Sequence, residues 1–254
     1  MRASVHLDPI PSNSHTHTVI FLHGRGGSAS ALSESFFDSL DSRGRNLRDL
    51  FPSFRWVFPK APLCRPWFDV ADAKDLSVNE ELQVGGLHAS VEALKSIIAE
   101  EAEKLHGKYV RLILAGISQG ASAAIHTLLH LDKSHFAGFD PPRLGAFVGF
   151  CSRLPLPGQT LKQTRSMRDS GSGPDRSSVL SNTPILLEHS IDDPLAKVED
   201  GRILRDALYD RGAHVEWIEY PAGGHWIQSP QGIEDAADFL RRALELTPDD
   251  TDLR

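Results

Sequence analysis

Gly116-Ile117-Ser118-Gln119-Gly120 sets a serine between glycines, directly after an apolar run and before the small residues Ala121, Ser122, Ala123 and Ala124. A G-x-S-x-G sequence joining a strand to a helix makes a sharp bend that presents the serine hydroxyl at the strand's end. Small flanking residues let the backbone pack closely around that bend. A serine hydroxyl is a weak nucleophile until a base takes its proton and a carboxylate orients the base. Both partner types stand later in the chain, acid before histidine, the order that accompanies this bend. Asp192 and Asp193 lie in His189-Ser190-Ile191-Asp192-Asp193-Pro194-Leu195, and His225 lies in Ala222-Gly223-Gly224-His225-Trp226. Either aspartate satisfies the spacing. His225, reached through Gly-Gly after an apolar run, is the candidate base for Ser118, and the implied chemistry is acyl transfer.

Acyl transfer also needs donors for the negative charge that develops on the carbonyl oxygen. His23-Gly24-Arg25-Gly26 follows an early apolar run, and its glycines free backbone N–H groups to point at such a charge. The amides of Arg25 and of Gln119, the residue after the serine, are the expected donors. A phosphate cradle would need G-x-x-x-x-G-K-[ST] or G-x-G-x-x-G, and neither is present. Leu63, Trp67 and Phe68 could face an acyl group, core packing being their other reading. His189 reads as a structural strand-end histidine. His126 and His130 are one helical turn apart with no third ligand in sight, so packing is favoured and no metal is expected.

These residues need strands that end together. Runs of β-forming apolar residues predict strands at Thr18–Leu22, Arg55–Pro59, Val110–Ala115, Gly145–Cys151, Pro184–His189 and Val215–Tyr220. Helical patterning falls at Glu80–His106, Gly120–Leu131, Gly201–Asp210 and Gly232–Leu246. Near-continuous apolar strands alternating with helices indicate an α/β protein, a central mostly parallel sheet with helices on both faces. Residues 1–17 read as a polar leader, 18–246 as one domain and 247–254 as an acidic tail. Gln159–Asn182, rich in Ser, Gly, Arg and Asp, reads as a mobile surface insertion, a lid being the less favoured role.

Composition narrows the partners. Lys and Arg number 27 against 34 Asp and Glu, a formal net charge of −7, which disfavours nucleic acid. No apolar run approaches the roughly 20 residues of a transmembrane helix. Cys64 and Cys151 stand far apart with no C-x-x-C, and residues 1–18 lack the apolar core of a secretory signal. Both features point to a reducing, cytoplasmic location. Oligomeric state is not encoded legibly.

Together, His23-Gly24-x-Gly26, Ala61-Pro62, Trp67-Phe68-Asp69, Gly116-x-Ser118-Gln119-Gly120, Asp193-Pro194-Leu195 and Gly224-His225 resemble the acyl-protein thioesterase branch of the phospholipase/carboxylesterase family. The resemblance spans about Thr18 to Leu244 and implies the α/β-hydrolase fold. It also implies hydrolysis of small carboxylic esters, lysophospholipids or thioesters of acylated proteins, without a cofactor. By the match to Asp-Pro-Leu it selects Asp193 as the orienting acid, with Ser118 as nucleophile and His225 as base. The chain departs from the family pattern in having Gly27 for an acidic residue, His189-Ser190 for His-Gly and Lys197 for a proline. The polar stretch Lys74–Val84 and the Gln159–Asn182 segment are further departures. All of them bear on acyl preference and leave the three reactive positions intact. A hydrolase or acyltransferase acting on a natural-product ester is the alternative enzyme, and a non-catalytic scaffold on a hydrolase fold the alternative class.

Overall fold

A computed structural model describes residues 4–62, 66–136, 138, 140–157 and 178–246. Its strands are β1 (Val5–Leu7), β2 (His17–Leu22), β3 (Phe54–Phe58), β4 (Leu112–Ile117), β5 (Ala146–Phe150), β6 (Ile185–Ser190) and β7 (Val215–Tyr220). They form one seven-stranded sheet in the order β1-β3-β2-β4-β5-β6-β7. All neighbours are parallel except β1, which pairs antiparallel with β3, Val5 opposite Phe58. Residues 5–7 lie in the segment read as a polar leader, where three residues of one edge strand leave too short a pattern to read.

The central strands are buried on both faces because their side chains alternate between two cores. Val19 and Phe21 of β2 belong to one cluster, Ile20 and Leu22 to the other. Helices α1 (Ala29–Phe36), α2 (Leu47–Leu50) and α7 (Gln231–Ala243) cover the first face, through Leu32, Phe36, Leu50, Ile233 and Leu240. The second face is covered by α3 (Leu82–Lys104), α4 (Gln119–Leu129) and α6 (Val198–Tyr209), through Leu87, Leu94, Leu128 and Leu204.

Of the segment read as an insertion, Ser178–Asn182 is a short helix, α5, whose Val179 and Leu180 are buried in the second core. That end is thus tied to the fold by apolar burial, while 158–177 and the tail 247–254 lie outside the described residues.

Strand direction brings the reactive candidates together. His23 and Gly24 follow β2, Ser118 follows β4, Asp193 follows β6 and His225 follows β7, all at the carboxyl edge of the parallel sheet. Ligands of open α/β sheets gather at that edge.

Candidate active site

Ser118 sits between β4 and α4 with φ 57° and ψ −126°, a left-handed backbone conformation unfavourable for a side chain bearing a Cβ. The bend is held on both sides. The Ser118 amide donates to the Phe150 carbonyl of β5 at 2.9 Å, and its own carbonyl accepts from the Ser122 amide at 3.0 Å. Gly24 lies against it so closely that a Cβ there would stand 3.5 Å from the Ser118 Cβ.

His225 donates from Nδ1 to Asp193 Oδ2 at 2.7 Å, an assignment of the proton that leaves Nε2 able to accept another. Asp193 Oδ1 accepts from the amides of Leu195 at 2.8 Å and Ala196 at 2.9 Å. The fully buried His189 ring brings its Nε2 to 2.8 Å from the Ala196 carbonyl and 3.4 Å from Asp193 Oδ2. Burial alone would raise the Asp193 pKa, but the hydrogen bonds from His189, His225 and the two amides outweigh it and hold the carboxyl well below the usual carboxylate range. Asp192 is spoken for elsewhere. Its Oδ1 accepts from the Gly224 amide at 2.8 Å and so braces the loop that carries His225.

A cleft of about 470 Å³ opens over this edge, with Ser118, Arg25, Gln119, Phe68 and His225 in its wall. Leu32, Val70, Leu76 and Ile117 supply apolar surface to the same cleft, as an acyl chain would require. Trp67, expected as an acyl contact, does not line it. Trp67 is fully buried, with its indole N–H donating to the His23 carbonyl at 2.8 Å and its backbone tied to Gln119 and Ser90. A buried indole needs a partner for its N–H, and Trp67 finds it beneath the His23–Gly24 loop. Its part is to support that loop. Leu63 lies outside the described residues.

Sequence reasoning missed Arg153 and Trp226, both in the cleft wall, and Leu195, whose side chain is exposed at the mouth. Arg153 stands three residues beyond the end of β5, and its position after a strand end was the signal that could have marked it.

Cys151, Asp193 and His225 also bring ligand-type atoms within 4.8 Å of one another. They do not suit a cation. Both Asp193 oxygens are already engaged, and burial, then the Asp193 charge, push the Cys151 thiol up, so the sulfur keeps the proton a metal must displace. His126 and His130 pack ring against ring at 4.4 Å, and burial lowers the His126 pKa to about 3, as expected of a neutral core imidazole.

A parallel sheet with a strained serine bend at its centre and an Asp–His pair at the following strand ends defines an α/β-hydrolase of the serine type. The model of the phospholipase/carboxylesterase family matches residues 10–244, and the chain belongs to that family. It is therefore a serine hydrolase of the carboxylesterase kind. Among curated proteins it is 25% identical over 238 residues to acyl-protein thioesterase 1 of Debaryomyces hansenii, covering 89% of this chain and 91% of that one. Against acyl-protein thioesterase 1 of Gibberella zeae the identity is 27% over 247 residues, with 92% and 93% covered. Among solved structures, esterase PE8 superposes with a TM-score of 0.69 at 22% identity, covering 95% of this chain and 98% of that one. Acyl-protein thioesterase 2 of Zea mays gives 0.67 at 23%, with the same coverage. No helix among the described residues is long and apolar enough to cross a membrane.

Proposed function

We propose that the protein hydrolyses carboxylic esters or thioesters through an acyl-enzyme on Ser118, with His225 as base and acid and Asp193 as the orienting carboxylate. The observation that carries this reading is the 2.7 Å Asp193–His225 hydrogen bond beside the cleft onto which Ser118 opens. His225 Nε2 takes the Ser118 proton as Oγ bonds to the carbonyl carbon, and the carbonyl π pair moves onto oxygen. The amides of Arg25 and Gln119 hold that oxyanion. Collapse expels the alcohol or thiol, which leaves with the proton from His225. Water then repeats the sequence on the acyl-enzyme and releases the acid. Every atom and proton is accounted for by the chain, the substrate and water, and no cofactor enters.

Phe68 and the apolar cleft wall support an acyl chain on one side of the bond. The thioesterase names of the curated relatives support a thioester, and an acylated protein, a lipid or a small-molecule ester fits the same step. A free, buried Cys151 thiol agrees with a reducing, cytoplasmic location.

The test is Ser118→Ala, assayed on p-nitrophenyl esters and on an S-acyl thioester, with fluorophosphonate labelling of the wild type. Turnover should fall by roughly 10⁴-fold or more and labelling should vanish while circular dichroism is unchanged. Undiminished turnover in this variant would overturn the reading.

A further inference from the structure

We propose that the substrate carries an oxyanionic group, a carboxylate or a phosphate, close to its scissile carbonyl, and that Arg153 and Lys74 bind that group inside the cleft. This rests on the ester-hydrolase reading above and names the class of ester.

The cleft's charge points this way. Among the described residues its wall contains Arg25, Lys74 and Arg153 and no aspartate or glutamate, although the chain as a whole carries a net charge of −7. A cationic cleft in an acidic molecule raises the local concentration of anions against the background field. Arg25 and Lys74 are exposed and cost little to leave unpaired. Arg153 is different.

Arg153 is half-buried, and its Nη1 is buried without a hydrogen-bond partner. Nη2 donates to the Ala73 carbonyl at 2.8 Å, a neutral acceptor. Among the described residues no carboxylate forms an ion pair with it. Its backbone is held, because the Ser122 hydroxyl of α4 donates to the Arg153 carbonyl at 2.7 Å. The nearby acids Asp200, Asp193, Asp72 and Asp75 act on it through their charge without forming an ion pair, and three of them carry hydrogen bonds of their own. Asp193 is saturated by His225 and two amides, Asp72 accepts the Lys74 amide at 2.7 Å, and Asp75 accepts the Ser77 amide and hydroxyl. A guanidinium left partly desolvated with a bare N–H is costly unless an anion completes it, and a planar fork is the geometry that carboxylate and phosphate oxygens match.

Position decides which side of Arg153 the anion takes. A neighbouring cavity of about 340 Å³ shares Lys74 and Arg153 with the cleft, but there Asp75 and Asp200 offset two of the three cations, Lys74, Arg153 and Lys197. On the Ser118 side no carboxylate among the described residues lines the wall, although the Asp193 charge acts on Arg153. The anionic group therefore lies on the Ser118 side, on the same substrate molecule as the reacting carbonyl.

The test uses matched pairs that differ only in charge. Mono-p-nitrophenyl glutarate against p-nitrophenyl valerate puts a carboxylate on the acyl side, and lysophosphatidate against monoacylglycerol of equal chain length puts a phosphate on the leaving side. The wild type should prefer the anionic member of at least one pair by about tenfold in kcat/KM, and which pair it is identifies the source. The preference should shrink as ionic strength rises. Arg153→Met should bring the ratio toward one, Arg153→Lys should retain part of it, and Lys74→Ala should lower it. The wild-type ratio and its salt dependence stand even if a variant folds poorly. Equal turnover within both pairs overturns the anion site while leaving the ester-hydrolase reading in place, as does an Arg153→Met effect equal on charged and neutral members. Absence of turnover on every ester together with absence of fluorophosphonate labelling overturns the hydrolase reading and the anion site with it.

Discussion

At the scale of single residues, the two aspartates separate only in three dimensions. Spacing admits either as the acid, and the Asp-Pro-Leu match favours Asp193. In the structure Asp193 meets the His225 ring and Asp192 meets the Gly224 amide of the loop that carries it. The two should respond differently to loss of charge. Asp193→Asn offers an amide where Nδ1–H needs an acceptor, which favours the wrong tautomer, and kcat should fall by roughly 10⁴-fold. Asp192→Asn keeps an oxygen able to accept from Gly224, so kcat should change by no more than about threefold. Steady-state kinetics on one p-nitrophenyl ester checks both, and similar losses in the two variants would reverse the assignment. Ser118, His225 and the Arg25 and Gln119 amides could be nominated from the sequence because each sits in a motif that states its own backbone geometry. Arg153 could not. An arginine's meaning lies in which partners are missing around it, and that is settled only by packing.

At the scale of elements, the bend after β4 depends on the glycine that follows the serine. A Cβ on Gly120 would stand 2.5 Å from the carbonyl oxygens of both Leu22 and His23, backbone atoms that cannot rotate aside. Gly120→Ala should therefore push α4 away from β2 and disturb the loop that places Arg25 in the cleft wall. A destabilisation of about 1–3 kcal/mol, read by urea unfolding, should accompany loss of activity. An alanine variant as stable and active as the wild type would show that α4 can shift freely. The long elements were readable from their apolar periods, yet boundaries moved by up to three residues, since the four long helices lack a side-chain N-cap and helix ends fray. α1 went unread, although its signal was present. Ser28 caps it, accepting from the Ala31 amide at 3.2 Å, and Ala29, Leu32 and Phe36 form its buried face. The preceding glycines drew the eye to a turn, and a turn and an N-cap share the same residues.

At the scale of the whole molecule, the acid balance of the sequence is distributed unevenly, and one of the buried carboxyls, Glu188, has no positive charge acting on it. Glu188 of β6 is buried beneath α7 with no ion-pair partner, beside Tyr220, whose hydroxyl donates to Asp235 at 2.8 Å. Burial, and then the Asp235 charge, hold its pKa well above the ordinary 4.5. The sign follows from linkage. Below the unfolded value both states hold the proton and the full stability is present. Above it the unfolded chain ionises at Glu188 and the folded one does not, so stability declines as pH rises toward the folded pKa. Asp193 acts in the opposite sense. Its depressed folded pKa contributes stability above the unfolded value of 3.8 that is lost as pH falls further. Glu188→Gln isolates the first effect, since the amide matches the shape of the protonated acid and has no proton to lose. Thermal unfolding between pH 5 and 8 should show the wild type losing stability relative to this variant by up to about 1.4 kcal/mol per pH unit. Below pH 4.5 the two curves should run parallel. Parallel curves across the whole range would mean that Glu188 ionises in the fold as readily as in water. Such ionisation would require a counter-charge reaching it beneath α7, and the charges acting on it include none that is positive.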